Sequence, residues 1–149
     1  MSVLTLGFTG TQEGMSDAQA TAIEVWLSTG DLILNAKLRG GVLAVHGDCV
    51  GADADFHRIC LLCEPMRIRI RPSNHPKRAW CKGADEVMPV RAPLDRNTDI
   101  VNDCDILIAT PKTYEEELRS GTWATIRRAR KAGKPIAIVW PDGKIKREN

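Results

Sequence analysis

Three aspartates, two histidines and two glycines crowd one short stretch, AVHGDCVGADADFH, running from Ala44 to His57. A hydrophobic run ends there in a glycine-rich turn and a helix begins. That arrangement usually greets a phosphate, because a helix start offers free N–H donors and partial positive charge. Carboxylates repel phosphate, so Asp48 and Asp53 point to other chemistry. They can accept hydrogen bonds from ribose hydroxyls or base amines, or hold Mg²⁺, a hard ion that prefers carboxylates and water. They are also the candidate catalytic carboxylates. Asp53 further suits the helix dipole from the first turn, and Gly47 and Gly51 permit the tight bend. Asp48 reads as exposed in the turn. His46, at the end of a buried strand, is either an acid–base group near neutrality or a hydrogen-bonded structural histidine.

Phosphate-compatible residues lie elsewhere. Thr9-Gly10-Thr11 follows the first apolar run, and Ser120-Gly121-Thr122 opens the last long helix, where N–H and hydroxyl donors gather. Thr110 ends a later strand. Arg96 and Asn97, at the entry to a short helix, can reach a phosphate or a base edge, or anchor a loop. Arg71 ends the strand Met66–Arg71 and is the one site contributor expected from the basic run Arg67, Arg69, Arg71. His57, Cys60 and Cys63 have metal-ligand spacing, with Cys81 or His75 as a fourth donor. Their place in an apolar helix beside Ile59 and Leu62 favours packing over ligation. Trp123, in the first turn of its helix, is expected to pack rather than stack on a base.

These residues need a scaffold that brings strand ends together. Short apolar runs alternate with helical patterns, the signature of βα units around a parallel sheet. Strands are expected at Val3–Phe8, Val42–His46, Ile106–Ala109 and Pro135–Trp140. The strictly alternating Met66–Arg71 fits a sheet edge with one wet face. Ser16 to Gln19 forms a capping box for a helix reaching Gly30. Further helices are expected at 31–39, 51–63, 95–103 and 121–132, the last closed by Gly133. Ser73 to Pro93 is a long irregular stretch, and such loops are usually functional or mobile. The fold class is therefore α/β, a single Rossmann-like three-layer domain over residues 1–143 with a mostly parallel central sheet. Residues 144–149, KIKREN, read as a basic, frayed, solvated tail. In such a sheet, ligands bind outside the carboxyl ends of the strands.

Composition bounds the function. The chain has 149 residues and a formal net charge of +2, which gives no case for a dedicated nucleic-acid or membrane-surface binder. No segment approaches a membrane span, and MSVLTLGFTGTQEG lacks a basic n-region ahead of a long apolar run. Five cysteines, an odd number, fit reduced thiols in a cytoplasmic protein. A homo-oligomer is compatible with the edge strand and the wide helix faces.

Taken together, FTGTQEGM, HGDCVGAD, LDRNTDIVNDCDILIATP and RSGTWATIRRARKAGKP resemble the SLOG superfamily over nearly the whole chain. That group contains the LOG phosphoribohydrolases, the DprA-type DNA-processing proteins and many small stand-alone Rossmann-like proteins, which this chain resembles most. The resemblance implies a site for a nucleotide or nucleotide-derived ligand, with phosphate at Gly121 and Thr122. LOG enzymes carry PGGxGTxxE; here Arg119 to Ile126 keeps the Gly-Thr pair but not the glutamate, since Thr125 and Ile126 stand at its place. The expectation is a sensor or sequestering protein with no obligatory cofactor. The alternatives are an N-glycosidic hydrolase or transferase recruiting Asp48, Asp53, Glu116 or Glu117, and then a DprA-like binder of single-stranded DNA.

Overall fold

The computed structural model describes residues 2–149. Seven strands form one sheet in the order β4-β3-β2-β1-β5-β6-β7. They are β1 (Leu4–Gly10), β2 (Val42–His46), β3 (Arg67–Ile70), β4 (Glu86–Val87), β5 (Ile106–Thr110), β6 (Ile136–Val139) and β7 (Ile145–Glu148). The helices are α1 (Asp17–Thr29), α2 (Asp31–Leu38), α3 (Ala52–Leu62), α4 (Pro93–Asp103) and α5 (Gly121–Lys131). Pairing is parallel throughout except between β6 and β7.

Alternation along the strands divides the core into two layers. Leu6, Val42, Ala44 and Ile108 pack with Ile23 and Leu27 of α1, Ile33 of α2 and Phe56 of α3. Their neighbours Leu43, Val45, Leu107 and Ala109 face the other way, onto Ile100 of α4 and Trp123 and Ile126 of α5. A strand covered on both faces must be apolar at every position, which is why β2 is buried from end to end. Each fully buried aliphatic contributes about 2 kcal/mol of transfer free energy. Ser16 and Gln19 close the capping box expected of them. The buried Gln19 amide also donates to the carbonyls of Pro111 and Val139, joining α1 to the ends of β5 and β6.

Four expectations change. The segment 144–149 is not a frayed tail: residues 145–148 pair antiparallel with β6 after a turn in which Gly143 takes φ +85°. β3 is not the sheet edge, because the two-residue β4 lies outside it. Its polar face is not simply solvated either. Arg69 binds Glu86 at 2.6 Å and Asp103 at 3.2 Å, and Arg71 binds Asp103 at 2.5 Å. Arg96 and Asn97 lie within a helix, not at its entry, since α4 starts at Pro93. Among the described residues, no helix is long and apolar enough to cross a membrane.

Candidate functional site

The strand order reverses between β1 and β5, because β1 continues to β2 on one side and β5 to β6 on the other. A crevice forms at such a reversal, outside the carboxyl ends of the strands. Here it is a cleft of about 550 Å³, within the range of small-molecule sites. Thr9, Gly10 and Thr11 line it from the end of β1, Gly47 from the β2–α3 turn, Asp53 from the first turn of α3, Arg96 and Asn97 from α4, and Ser120, Gly121 and Thr122 from the start of α5.

The α5 mouth offers donors. Ser120 is the N-cap, and its Oγ accepts the Trp123 N–H at 3.3 Å. The N–H groups of Gly121 and Thr122 have no protein acceptor among the described residues, as the first turn of a helix leaves them. Lys112 and Arg119 stand on the same rim, with Glu13 and Glu117 beside them.

The opposite wall belongs to α4. Pro93, Arg96, Asn97 and Ile100 all line the cleft, and their spacing of three, four and seven residues puts them on one helical face. Arg96 is the only lysine or arginine in the buried class among the described residues. Its Nη1 donates to the Gly47 carbonyl at 2.7 Å and the Arg71 carbonyl at 3.3 Å, and its Nε donates to Asn97 Oδ1 at 2.9 Å. Unlike Arg69, Arg71, Arg78 and Arg91, it makes no ion pair among the described residues.

The two carboxylates of the opening turn separate. Asp53, buried, accepts the N–H groups of Gly47 and Cys49 on Oδ2, both at 3.1 Å, and so closes the turn. Burial pushes its carboxyl up to about 6, against these N–H groups and the nearby Arg96 charge. Asp48 corrects the sequence reading. It is not exposed but buried, at a left-handed φ of +59°, and does not line the cleft. Its carboxylate binds Arg78 Nε at 2.8 Å and the Cys81 N–H at 2.9 Å. Burial opposes the charge, but these donors hold the carboxyl below its usual range.

His46 is also outside the cleft. Its Nδ1 accepts the Asp48 N–H at 3.0 Å, so its proton sits on Nε2 and is donated to His57 Nδ1 at 2.8 Å. His57 then donates from Nε2 to the Lys82 carbonyl at 2.6 Å. Burial, with His57 next, holds His46 down to about 3, so it stays neutral. Cys81 lies near this pair, but His46 Nε2 carries the proton that ligation would require it to lose. Cys60 and Cys63 are buried in the α1–α3 layer.

Gly51, Arg71 and Thr110 also lie outside the lining. Gly51 holds the turn against the β1 loop, Arg71 is ion-paired to Asp103, and Thr110 is wholly buried. Glu116 pairs with Arg127 and Arg130 on the surface. Trp123 packs beside Trp140, ring centroids 6.1 Å apart. The sequence reading did not single out Gln12, Cys49, Pro93, Ile100 or Lys112 as lining residues. Extending each strand-end motif by two residues finds Gln12, Cys49 and Lys112, and the helical period of α4 finds the other two.

Asp53 gives a stability prediction of known sign. Its carboxyl titrates near 6 in the fold against an ordinary 3.8. Its ionisation therefore opposes folding above pH 6, and the penalty vanishes below about pH 4. A displacement of that size is worth at most about 3 kcal/mol, part of which the turn's N–H bonds to a charged acceptor return. Asp53→Asn is expected to raise stability by about 1 kcal/mol at pH 8 and to leave it unchanged or lower at pH 4. Urea melts at the two pH values read this; equal shifts at both would show that Asp53 is not strained by its burial.

Fold and cleft together define a doubly wound α/β protein with a small-molecule-sized crevice at its switch point. The solved structure of the molybdenum cofactor binding protein from the phototrophic bacterium Rippkaea orientalis is similar. The TM-score is 0.68 at 18% identity, over 94% of this chain and 78% of that one, a likeness of fold. No protein-family model matches the chain, and no curated protein matches it significantly.

Proposed function

We propose that the chain binds a phosphate-bearing, nucleotide-like small molecule in this cleft, as a sensor or sequestering protein. The observation that carries this is the α5 mouth. Two unpartnered N–H groups, the Thr122 and Thr11 side chains, Arg119 and Lys112, the last ion-paired to Glu13 at 3.5 Å, line one volume. An anion there meets the helix dipole and several donors at once. The similarity in fold to a molybdenum cofactor binding protein supports a small-molecule ligand over a macromolecule. Of the two carboxylates considered for Mg²⁺, Asp53 lines the cleft and Asp48 does not.

The test is equilibrium binding of nucleoside monophosphates, NAD, cyclic ADP-ribose, the molybdenum cofactor and ribose 5-phosphate. Gly121 is the first helical residue, where proline is tolerated, and a Cβ added there meets nothing within 4 Å. Gly121→Pro deletes one N–H donor and is expected to weaken phosphorylated ligands about tenfold, roughly one charge-assisted hydrogen bond, with the melt unchanged. Unaltered affinity would remove the α5 mouth from binding.

A second reading is N-glycosidic cleavage. It draws on one observation, that the cleft holds a buried carboxylate raised to about 6, Asp53, together with Glu117. Perturbed acids in clefts are candidates for acid–base work. Free base released from these ligands and abolished by Asp53→Asn would establish it; ligand recovered intact would exclude it.

A further inference from the structure

The amino-terminal end of the sheet holds a second cavity, of about 470 Å³, under the start of β1, β2 and β3. Its apolar lining is Val3, Val42, Pro65 and Met66, and its charged lining is Lys37, Glu64 and Arg67. Lys37 is turned inward. Its Nζ donates to the carbonyls of Leu27 and Cys63 at 3.1 and 2.7 Å, where a cation suits the ends of α1 and α3. Glu64 and Arg67 are exposed. Arg69 and Arg71, just beyond, are paired to acids, but neither Glu64 nor Arg67 has an ion-pair partner among the described residues, not even the other. Two leucines stand beside the cavity. Leu38 is the last residue of α2 and Leu62 the last of α3, and the contact from Lys37 to Cys63 joins those two helix ends. At 84% and 77% exposed, they are the barest helical leucines among the described residues.

One exposed leucine is ordinary. Two at joined helix ends, beside an apolar cavity, make a surface that gains by being covered. The same face carries both a projection and a recess, and both an acid and a base without partners. Either member of each pair would suit an unrelated protein. Having both members of both pairs makes the face complementary to itself, which is what a two-fold contact requires, since each patch there meets its own copy. We propose that this face is the interface of a homodimer, with Leu38 and Leu62 of each copy seated against the cavity of the other and Glu64 of each copy paired with Arg67 of the other. The apolar contact forms the centre and the two ion pairs the rim. The ligand cleft lies at the carboxyl ends of the strands, so the dimer leaves it open and does not depend on what it binds.

The experiment is sedimentation velocity of the full chain from about 1 to about 100 μM, the span in which moderate association shows. Twice the chain mass is expected at the upper end. Leu38→Glu and Leu62→Glu, both at exposed positions, should each weaken association at least about thirtyfold, because they bury an unpaired carboxylate in the contact. A thermal melt verifies that each variant folds. Glu64→Arg and Arg67→Glu, made separately, set like charges against each other across the two-fold, and each should weaken association about tenfold. Mixing those two variants restores both ion pairs, so a heterodimer about as tight as the unmodified dimer is expected. Its appearance upholds the proposal, because a contact elsewhere on the surface would not respond to the mixture. Dimers that survive both leucine variants, or no gain on mixing the charge variants, overturn it. A monomer at every concentration also overturns it and leaves the face to a different partner.

Discussion

Gly51→Ala is expected to cost about 3–5 kcal/mol, enough to leave much of the protein unfolded. Two effects add. Gly51 sits at φ +89°, ψ −125°, where an L side chain is strained by about 1–3 kcal/mol. A Cβ there would also overlap the Gln12 carbonyl, and overpacking against backbone costs about 1–3 kcal/mol. The turn cannot retreat, because Ala52 donates its N–H to the Thr11 carbonyl at 2.9 Å. Gly121→Ala is the control. It has open space and a helical position, so it should change stability by less than about 0.5 kcal/mol. Paired urea melts read both; a Gly51→Ala loss under about 1 kcal/mol would mean that the turn and the β1 loop are not locked.

Asp48→Ala is expected to cost about 3–5 kcal/mol, the range for removing one partner of a buried ion pair. The Asp48 side chain is fully buried and that of Arg78 is 15% exposed, so the arginine left behind has little water to turn to. The loss spreads along the segment docked there. Ala79 N–H donates to the Asp48 carbonyl at 2.7 Å and Val50 N–H to the Lys77 carbonyl at 3.1 Å. Limited trypsin digestion at Lys77, Arg78 and Lys82 should accelerate with the loss of stability. Asp48→Asn, which tolerates the left-handed backbone and keeps an acceptor for Cys81, should lose only about 1–2 kcal/mol. Acid supplies the sign. The Asp48 carboxyl titrates below its ordinary value, so its contribution is whole above about pH 4 and disappears as pH falls through the lower folded value. Asp53, in the same turn, does the opposite. Resistance of the Asp48→Ala segment to trypsin would show that the docking does not depend on the carboxylate.

Most elements were legible because their signals are local. The capping box at Ser16, the continuous apolar β2 and the glycine after α5 each follow from a few adjacent residues. What was not legible depends on partners far along the chain. Asp48 is polar, adjacent to glycine and therefore reads as exposed; its burial comes from Arg78 and Cys81, some thirty residues on. β7 was hidden by composition, since three of its four side chains are exposed, and an edge strand with charged residues resembles a tail. The Pro141-Asp142-Gly143 turn ahead of it was the overlooked signal. The two-residue β4 is too short for any periodicity to reveal. At the cleft, the strand-end residues could be read from topology, whereas the α4 wall required knowing that Pro93 is already helical.

The order of the strands has a consequence for synthesis on the ribosome. β1 is made before the other six strands of this sheet, yet it lies inside the sheet, paired with both β2 and β5. Once residues through 70 have emerged, β1, β2 and β3 can join with α1, α2 and α3 into one packed layer. The far edge of β1 then stays open until residues 106–110 arrive, and an open strand edge invites pairing with other chains. That nascent half-sheet is the form of this protein most exposed to aggregation, and completion of β5 ends the exposure.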